Sequence, residues 1–302
     1  MRIGIDVGGT KIEGIALGKD GATLARVRVP SPCGNYAATL DTVAALVERL
    51  EREVGTTGSI GVGIPGAISP ASGRIKNSNA GWLMGHPLDR DLADRLGRPV
   101  RLANDANCFA VSEATDGAAA GAGVVFGVIL GTGVGGGIVI DGAPLAGANA
   151  IAGEWGHNPL PWIEDDERPG PPCYCGKRGC IETFLSGPGF AADYRAATGM
   201  TLAATEIAAR AAAGEPQAEH ALQRYVHRLA RALATIINVL DPDVIVLGGG
   251  MSNIAKLYED VPKIWQQWVL SDRIETALRP NHHGDSSGVR GAAWLWPQNE
   301  TE

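Results

Sequence analysis

The chain has 302 residues, enough for two domains, and its 45% hydrophobic and 20% charged residues are typical of a globular protein with a buried core. The net charge is −7 and the sequence has no block of basic residues, which argues against a nucleic acid as the main partner. The N-terminus begins with a strand-like run, so we predict no signal peptide and a cytoplasmic location.

The first third of the sequence predicts three strands, a helix and further strands, because short apolar runs are separated by glycine-containing turns. The strands are expected at residues 2–7, 12–17 and 24–29. Apolar residues at helical spacing then predict a helix through residues 40–50, and another strand follows at 59–64. Asp89 is a candidate N-cap for a helix ending at Leu96, and a strand at 100–103 is expected to end just before Asn104.

The second half of the sequence repeats this pattern. Strands at 124–130 and 136–140 are predicted around a glycine loop, a long helix at 218–240, a buried strand at 243–247 and a final helix at 288–296. Residues 117–140 carry no charge and are long enough to cross a bilayer, but their many glycines favour two strands over a membrane helix. The proline-rich, acidic residues 159–172 are predicted to form an exposed loop.

Each half therefore begins with a strand, a glycine loop and a second strand, and continues with alternating strands and helices. This order predicts two related α/β domains on either side of a cleft. We expect a smaller domain formed by residues 1–113 together with 288–302, and a larger one formed by residues 114–287.

Three glycine loops follow predicted strands. Glycines allow tight turns and the approach of backbone N–H groups to an anion, although each loop alone is equally typical of a simple hairpin turn. Together they predict a site for a nucleotide, with Asp6 near a Mg²⁺ ion. The residues are Asp6, Gly8, Gly9, Thr10 and Lys11 in the first loop, Gly131, Thr132, Gly133 and Gly135 in the second, and Gly249 and Gly250 in the third.

The tetrapeptide Asn104-Asp105-Ala106-Asn107 lies at the end of a predicted strand. A carboxylate in this position can accept the proton of a hydroxyl group that attacks a phosphate. An Asx turn or a helix N-cap is the alternative, and the four residues alone favour it.

Cysteine and histidine residues cluster around residues 157–180. One imidazole and three thiolates, from His157, Cys173, Cys175 and Cys180, form a closed tetrahedral Zn²⁺ site of the structural kind. Cys108, His220 and His227 remain alternatives for the fourth ligand. Such a metal would bring Glu154 and Glu182 close together, and paired carboxylates are good acceptors for sugar hydroxyl groups.

These features, in this order, resemble the ROK family of bacterial sugar kinases and repressors. The motifs are Asp6-x-Gly-Gly-Thr-Lys, Gly61-x-Gly-x-Pro-Gly, Asn104-Asp-Ala-Asn, the loop at Gly131, Glu154-x-x-His, Cys173-x-Cys-Gly-x-x-Gly-Cys-x-Glu and Leu247-Gly-Gly-Gly. The resemblance implies a two-domain actin-like/hexokinase (RNase H-like) fold that closes around a hexose and Mg-ATP, with a structural zinc ion.

The same resemblance assigns roles to residues. Asp105 matches the family's general base, whereas Asn104, Glu154, His157 and Glu182 match its sugar contacts. His157, Cys173, Cys175 and Cys180 match its zinc ligands, and the three glycine loops match its ATP site. A homodimer is expected, since related kinases are often dimers.

Within the family, the segments at residues 76–79, 157–162 and 283–291 resemble bacterial fructokinases, which makes Asn79 a further sugar contact and fructose the expected acceptor. The alternatives are a kinase for N-acetylhexosamines or glucose, or a sugar-responsive regulator without catalysis. The regulator is disfavoured because regulators of this family usually carry an N-terminal helix-turn-helix.

Overall fold

The computed structural model describes residues 1–296, with every side chain in that range except that of Asp285. The strands are β1 (Arg2–Val7), β2 (Lys11–Leu17), β3 (Thr23–Pro30), β4 (Ser59–Ile64), β5 (Ala67–Ile68), β6 (Ile75–Lys76), β7 (Val100–Asn104), β8 (Val124–Leu130), β9 (Val134–Ile140), β10 (Ala143–Pro144), β11 (Val244–Gly248) and β12 (Ala277–Pro280). The α-helices of these residues are α1 (Tyr36–Val54), α2 (Leu88–Leu96), α3 (Asp105–Thr115), α4 (Ile181–Leu185), α5 (Gly187–Thr198), α6 (Ala204–Ala212), α7 (Pro216–Leu240), α8 (Lys256–Ile264) and α9 (Ser287–Ala293).

The chain packs into two compact units. The first consists of residues 1–121, 137–152 and the described residues from His282 onwards, and the second of residues 122–136 and 153–281. The domain boundaries predicted from the sequence, which give one domain of residues 1–113 with 288–302 and another of residues 114–287, remain a proposal. Residues 297–302 of the first predicted domain lie outside the described residues.

The first unit is built on a five-stranded sheet of order β3-β2-β1-β4-β7. β1 pairs antiparallel with β2 and parallel with β4, which in turn pairs parallel with β7. The ends of β1 and β7 therefore lie at the same edge of the sheet. This arrangement brings Asp6 of β1 and Asn104 of β7 to that edge.

Helix α1 covers one face of this sheet with the apolar positions predicted from its spacing. Val43, Val47 and Leu50 are completely buried in a core that includes Ile3 and Ile5 of β1. Burying each such side chain contributes about 1.5–3 kcal/mol. Asn35 caps the helix by accepting a hydrogen bond from the backbone N–H of Ala38, and Gly55 ends it in the left-handed conformation.

Helix α9 packs directly on β1 and β4. Gly4 of β1 and Gly61 of β4 make this close approach possible, because a Cβ atom at either position would overlap backbone atoms of α9. Gly291 of α9 lies in the same way against the backbone of Cys108 in α3. The packing of α3 against α9 thus fixes the helix that begins at Asp105.

The second unit contains the parallel strands β8, β11 and β12, and the sheet to which they belong has the order β10-β9-β8-β11-β12. Helix α7 is the longest helix described, and it buries Leu222, Leu229 and Leu233 as its apolar spacing predicts. None of the helices described between residues 1 and 296 is long and apolar enough to span a membrane.

The structure corrects three expectations from the sequence. Asp89 lies inside the first turn of α2, where its negative charge interacts favourably with the positive end of the helix dipole. Pro87 occupies the N-cap position. The final helix ends at Ala293 instead of Trp296. The loop at residues 159–172 is only partly exposed, because Leu160 and Glu167 are buried.

Candidate functional site

Asp6 lies in the first unit near the end of β1, beside Glu13 of β2 and Gly63 of β4. Burial and the charges of Asp105 and Glu13 raise the pKa of Asp6 to about 6, against the opposing influence of Lys11 and Arg28. The charge of Asp105 thus acts on the carboxyl group of Asp6, as a nearby like charge does. The pair has the donor chemistry that Mg²⁺ prefers.

Glu13 is itself almost completely buried and is held by two arginines of β3. Arg28 donates from Nε at 2.9 Å and from Nη2 at 2.6 Å to Oε2 of Glu13, and Arg26 donates to Oε1. Because Glu13 faces Asp6 across the β1–β2 pair, these arginines offset part of the negative charge near the candidate magnesium site.

Asn104 and Asp105 lie at the junction of β7 and α3. The side chain of Asn104 is the N-cap of α3, because its Oδ1 accepts from the N–H of Ala106 at 2.9 Å while its Nδ2 donates to the carbonyl of Gly66 at 3.2 Å. Asp105 is the first residue of the helix and is exposed, with Oδ1 2.8 Å from the same N–H. The N-cap that the sequence offered as the alternative is therefore confirmed for Asn104. The Asp105 carboxylate lies at the surface at the start of α3.

The loop between β1 and β2 is a tight turn in which the N–H of Gly8 donates to the carbonyl of Lys11 at 2.9 Å. Gly9 and Thr10 are exposed, and nothing lies within 4 Å of the position that a Cβ atom of Gly9 would take. The loop thus presents open backbone at the same edge of the sheet as Asp6. Asn79 is exposed in the segment that follows β6.

In the second unit, His157 lies together with Cys173, Cys175 and Cys180, and their ligand atoms all lie within 4.8 Å of one another. Nδ1 of His157 is 3.6 Å from Sγ of Cys173, and Sγ of Cys175 is 3.6 Å from Sγ of Cys180. Ligands at about 2.3 Å from a tetrahedral ion lie about 3.7 Å apart. The four residues therefore fit a zinc ion.

The other candidates for the fourth ligand are placed differently. Nδ1 of His227 is 3.5 Å from a carboxylate oxygen of Glu164, and Cys108 is completely buried in the first unit. Among the described residues, His157 is the histidine that accompanies the three cysteines.

Glu182 follows Cys180 at the start of α4 and contacts the glycine loop between β8 and β9. Its Oε2 accepts from the N–H of Val134 at 2.9 Å, and a Cβ atom on Gly133 would lie 2.6 Å from the same oxygen. The N–H of Gly187 also donates to the carbonyl of Gly131 at 2.8 Å. The segment that follows the cysteine cluster therefore holds this loop in place.

Glu154 is exposed beside Trp155, which is buried and donates from Nε1 to the carbonyl of Gly135 at 2.9 Å. The glycine loop is thus held from two sides, by Trp155 and by Glu182. The second unit in this way brings together Glu154, Glu182, the cysteine cluster and the loop from Gly131 to Gly135.

The third glycine loop lies at the end of β11. Gly249 has a φ of 79°, and a Cβ atom there would be 2.5 Å from the carbonyl oxygen of Leu130. Both the backbone conformation and the lack of space therefore require glycine. Gly250 lines a cavity of ≈ 690 Å³ between α6, α8 and the turn at residues 250–253. Its walls are mainly apolar, with Ala204, Ala208 and Met251, and its size suits a nucleoside.

Sequence reasoning found Gly250 but missed the rest of this cavity. The alanines of α6 look like ordinary helix residues, and no local signal distinguishes them. The exposed Tyr174, between two cysteines of the cluster, was also missed, although its position in the Cys-x-Cys motif could have drawn attention to it.

Comparisons with known proteins agree with the motifs. Residues 2–299 match the ROK family. The sequence is 43% identical over 302 residues to an N-acetyl-D-glucosamine kinase of Yersinia pseudotuberculosis serotype O:3 (strain YPIII), with 98% of each chain covered.

Two solved structures have the same fold. One is a ROK hexokinase from Thermus thermophilus, with a TM-score of 0.86, 32% identity and 97% of each chain covered. The other is a ROK family glucokinase from Streptomyces griseus in complex with glucose and AMPPNP, with a TM-score of 0.77, 27% identity and coverage of 98% of this chain and 99% of that one. These matches confirm the predicted hexokinase-like α/β fold, and the chain belongs to the ROK family.

Proposed function

We propose that this protein is an ATP-dependent hexose kinase that transfers the γ-phosphoryl group of ATP to the 6-hydroxyl group of a hexose. The observation that carries this proposal is the exposed Asp105 carboxylate, which directly follows the N-cap Asn104 at the end of β7 and whose charge acts on Asp6. Asp105 accepts the proton of the attacking hydroxyl group, and Asp6 helps to hold the Mg²⁺ ion that accompanies ATP.

The other residues of the site bind the two substrates. Backbone N–H groups of the loops at Gly8–Lys11 and Gly131–Gly135 bind phosphate oxygens, and the cavity beside Gly249 and Gly250 takes the nucleoside. The hexose contacts Asn79, Asn104, Glu154 and Glu182 through its hydroxyl groups and packs beside the ring of His157. These assignments rest on the positions of the motifs and on the polar atoms that the structure presents there.

The cysteine cluster holds a structural Zn²⁺ ion through His157, Cys173, Cys175 and Cys180. Four protein ligands close the coordination shell, so the ion supplies a fixed crosslink between three segments of the chain. The crosslink positions Glu154 and Glu182 at either end of the cluster.

The comparisons support N-acetyl-D-glucosamine as the acceptor better than fructose, because the curated relatives at about 43% identity are kinases for that sugar. This is the alternative that the sequence left open. Fructose remains the second candidate, since the segments at residues 76–79, 157–162 and 283–291 resemble fructokinases. We further propose that the protein is a cytoplasmic homodimer.

A coupled ADP-release assay with N-acetylglucosamine, fructose, mannose and glucose tests the proposal, with the phosphorylated hydroxyl group identified by NMR. Release of ADP with at least one hexose and a 6-phosphate product is the expected result. Tight binding of a sugar without any release of ADP would reject the kinase and favour a regulator.

A further inference from the structure

Tyr174 is an exposed aromatic residue of the second unit to which the proposed function gives no role. It is 83% exposed, far more than a tyrosine that only fills space, and it lies between Cys173 and Cys175. Its backbone is held by the turn of the cysteine cluster, in which the N–H of Cys173 donates to the carbonyl of Lys177 at 2.8 Å and the N–H of Gly176 to that of Cys173 at 3.0 Å. An exposed aromatic side chain is thus carried on a fixed backbone.

The Tyr174 side chain is fixed as well. Its hydroxyl oxygen is 2.8 Å from Nε2 of His157, and the two rings meet edge to face with centroids 5.0 Å apart. Nδ1 of His157 faces Sγ of Cys173, so the ring proton of a metal-binding His157 resides on Nε2. Nε2–H therefore donates to the oxygen of Tyr174, which directs the hydrogen of the phenol away from His157.

The surroundings of this phenol are acidic. Glu182 follows Cys180 by two residues and Glu154 precedes His157 by three, so both carboxylates flank the cysteine cluster that carries Tyr174. The phenol therefore adds a neutral hydrogen-bond donor to a group of acceptors. Sugar hydroxyl groups require both kinds of partner.

We propose that Tyr174 is a further acceptor-binding residue that also determines which hexose is accepted. Its hydroxyl group donates a hydrogen bond to an oxygen atom of the sugar, and its ring limits the size of the substituent that fits beside His157. This inference rests on the proposed hexose kinase function.

The Tyr174→Phe variant tests the hydrogen bond, because it removes the hydroxyl group and keeps the ring. Calorimetry without nucleotide should show a hexose dissociation constant raised about tenfold, with KM raised equally and kcat within about threefold. Zinc content should equal that of the unchanged protein. Tyr36→Phe is the matched control, since it removes a phenol that donates to Asp91 in the first unit, and its sugar affinity should not change.

The Tyr174→Ala variant tests the role of the ring. It should shift the ratio of kcat/KM for N-acetylglucosamine to that for fructose about tenfold or more in favour of the larger sugar. Sugar affinities within twofold of the unchanged protein in both variants would overturn the inference. So would a loss of zinc from Tyr174→Phe in parallel with sugar affinity, because Tyr174 would then act on the metal alone.

The two proposals fail in different ways. If the unchanged protein binds a hexose but releases no ADP, the kinase proposal fails while the calorimetry of Tyr174→Phe still decides the role of Tyr174. If no hexose of the panel binds, both fail.

Discussion

Asp105 is the first residue of α3 and directly follows the cap residue Asn104. A helix N-terminus stabilises negative charge, and Asn104 already supplies the cap, so the Asp105 carboxylate is not needed to satisfy the backbone beyond its own bond to Ala106. This position supports the proposed role of Asp105 as the base, whereas the tetrapeptide alone favours capping.

The Asp105→Asn substitution should lower kcat by about 10³-fold while hexose affinity and the melting temperature stay nearly unchanged, because the amide cannot accept the proton. Steady-state kinetics and calorimetry measure the two effects. Asp89→Asn, which changes a carboxylate in the first turn of α2, is the control and should retain full activity. A kcat within about tenfold of the unchanged protein would reject Asp105 as the base.

Gly133 is a second position where the addition of a single Cβ atom should disturb the proposed site. A Cβ atom there would lie 2.6 Å from Oε2 of Glu182, so Gly133→Ala should displace the carboxylate and break its bond to Val134. We expect KM to rise about tenfold for both ATP and the hexose, measured by varying each substrate in turn. Gly81→Ala, where nothing lies within 4 Å of the added atom, should leave both values unchanged, and a rise for neither substrate in Gly133→Ala would contradict the role of this contact.

At the scale of elements, local patterns predicted the longer strands and the helices α1, α2, α7 and α9, but not α3, α4, α5, α6 and α8. Strands β4 and β8 lie where their apolar runs place them, and α7 buries the apolar face that its spacing predicts. The segment at residues 159–172 was misjudged, because its prolines and acidic residues are typical of a solvated loop. Its burial depends on arginines of α7 that are distant in sequence.

Glu167 anchors this segment to α7. It accepts hydrogen bonds from Nη2 of Arg231 at 2.6 Å and from Nε of Arg228 at 2.8 Å, and all three side chains are nearly inaccessible. Burial works to raise the pKa of Glu167, but the hydrogen bonds from Arg231, Arg228 and the backbone of Glu164 outweigh it, so the pKa is lowered. The ionised Glu167, together with Arg228 and Arg231, therefore contributes to the stability of the folded protein.

The Glu167→Gln substitution should lower the free energy of unfolding by about 3 kcal/mol at pH 7, because buried Arg231 loses its counter-charge and Arg228 keeps only that of Asp193. Since the pKa of Glu167 is lower in the folded protein than in the unfolded chain, the contribution is present above pH 4.5 and is lost as the pH falls through the folded pKa. Urea denaturation at several pH values measures the difference. The exposed Asp166→Asn is the control, and an equal loss in both variants would contradict the anchor.

At the scale of the whole molecule, the chain forms two compact units. The first holds Asp6, Asp105 and the Gly8–Lys11 loop, and the second holds the cysteine cluster and the other two glycine loops. The stability of the second unit should therefore depend on its metal.

The purified protein should contain about one zinc ion per chain, and Cys175→Ser should lose it and melt more than about 5 °C lower. Elemental analysis and calorimetric melting measure these effects. Cys33→Ser, which keeps a donor for the carbonyl of Gly9, should retain both zinc and melting temperature. Less than about half a zinc ion per chain after gentle purification would contradict the assignment.

The sequence by itself determined the strands of five or more residues, the three glycine loops and the cysteine cluster, because each depends on residues close together along the chain. Only the tertiary structure decided that Asp6 lies near Asp105, that Glu182 holds the loop at Val134, and that Tyr174 contacts His157. It also closed the cavity at Gly250 with alanines of α6 and buried Glu167 against α7. These contacts join segments that only the packing of sheets and helices brings together, and no local pattern encodes such packing.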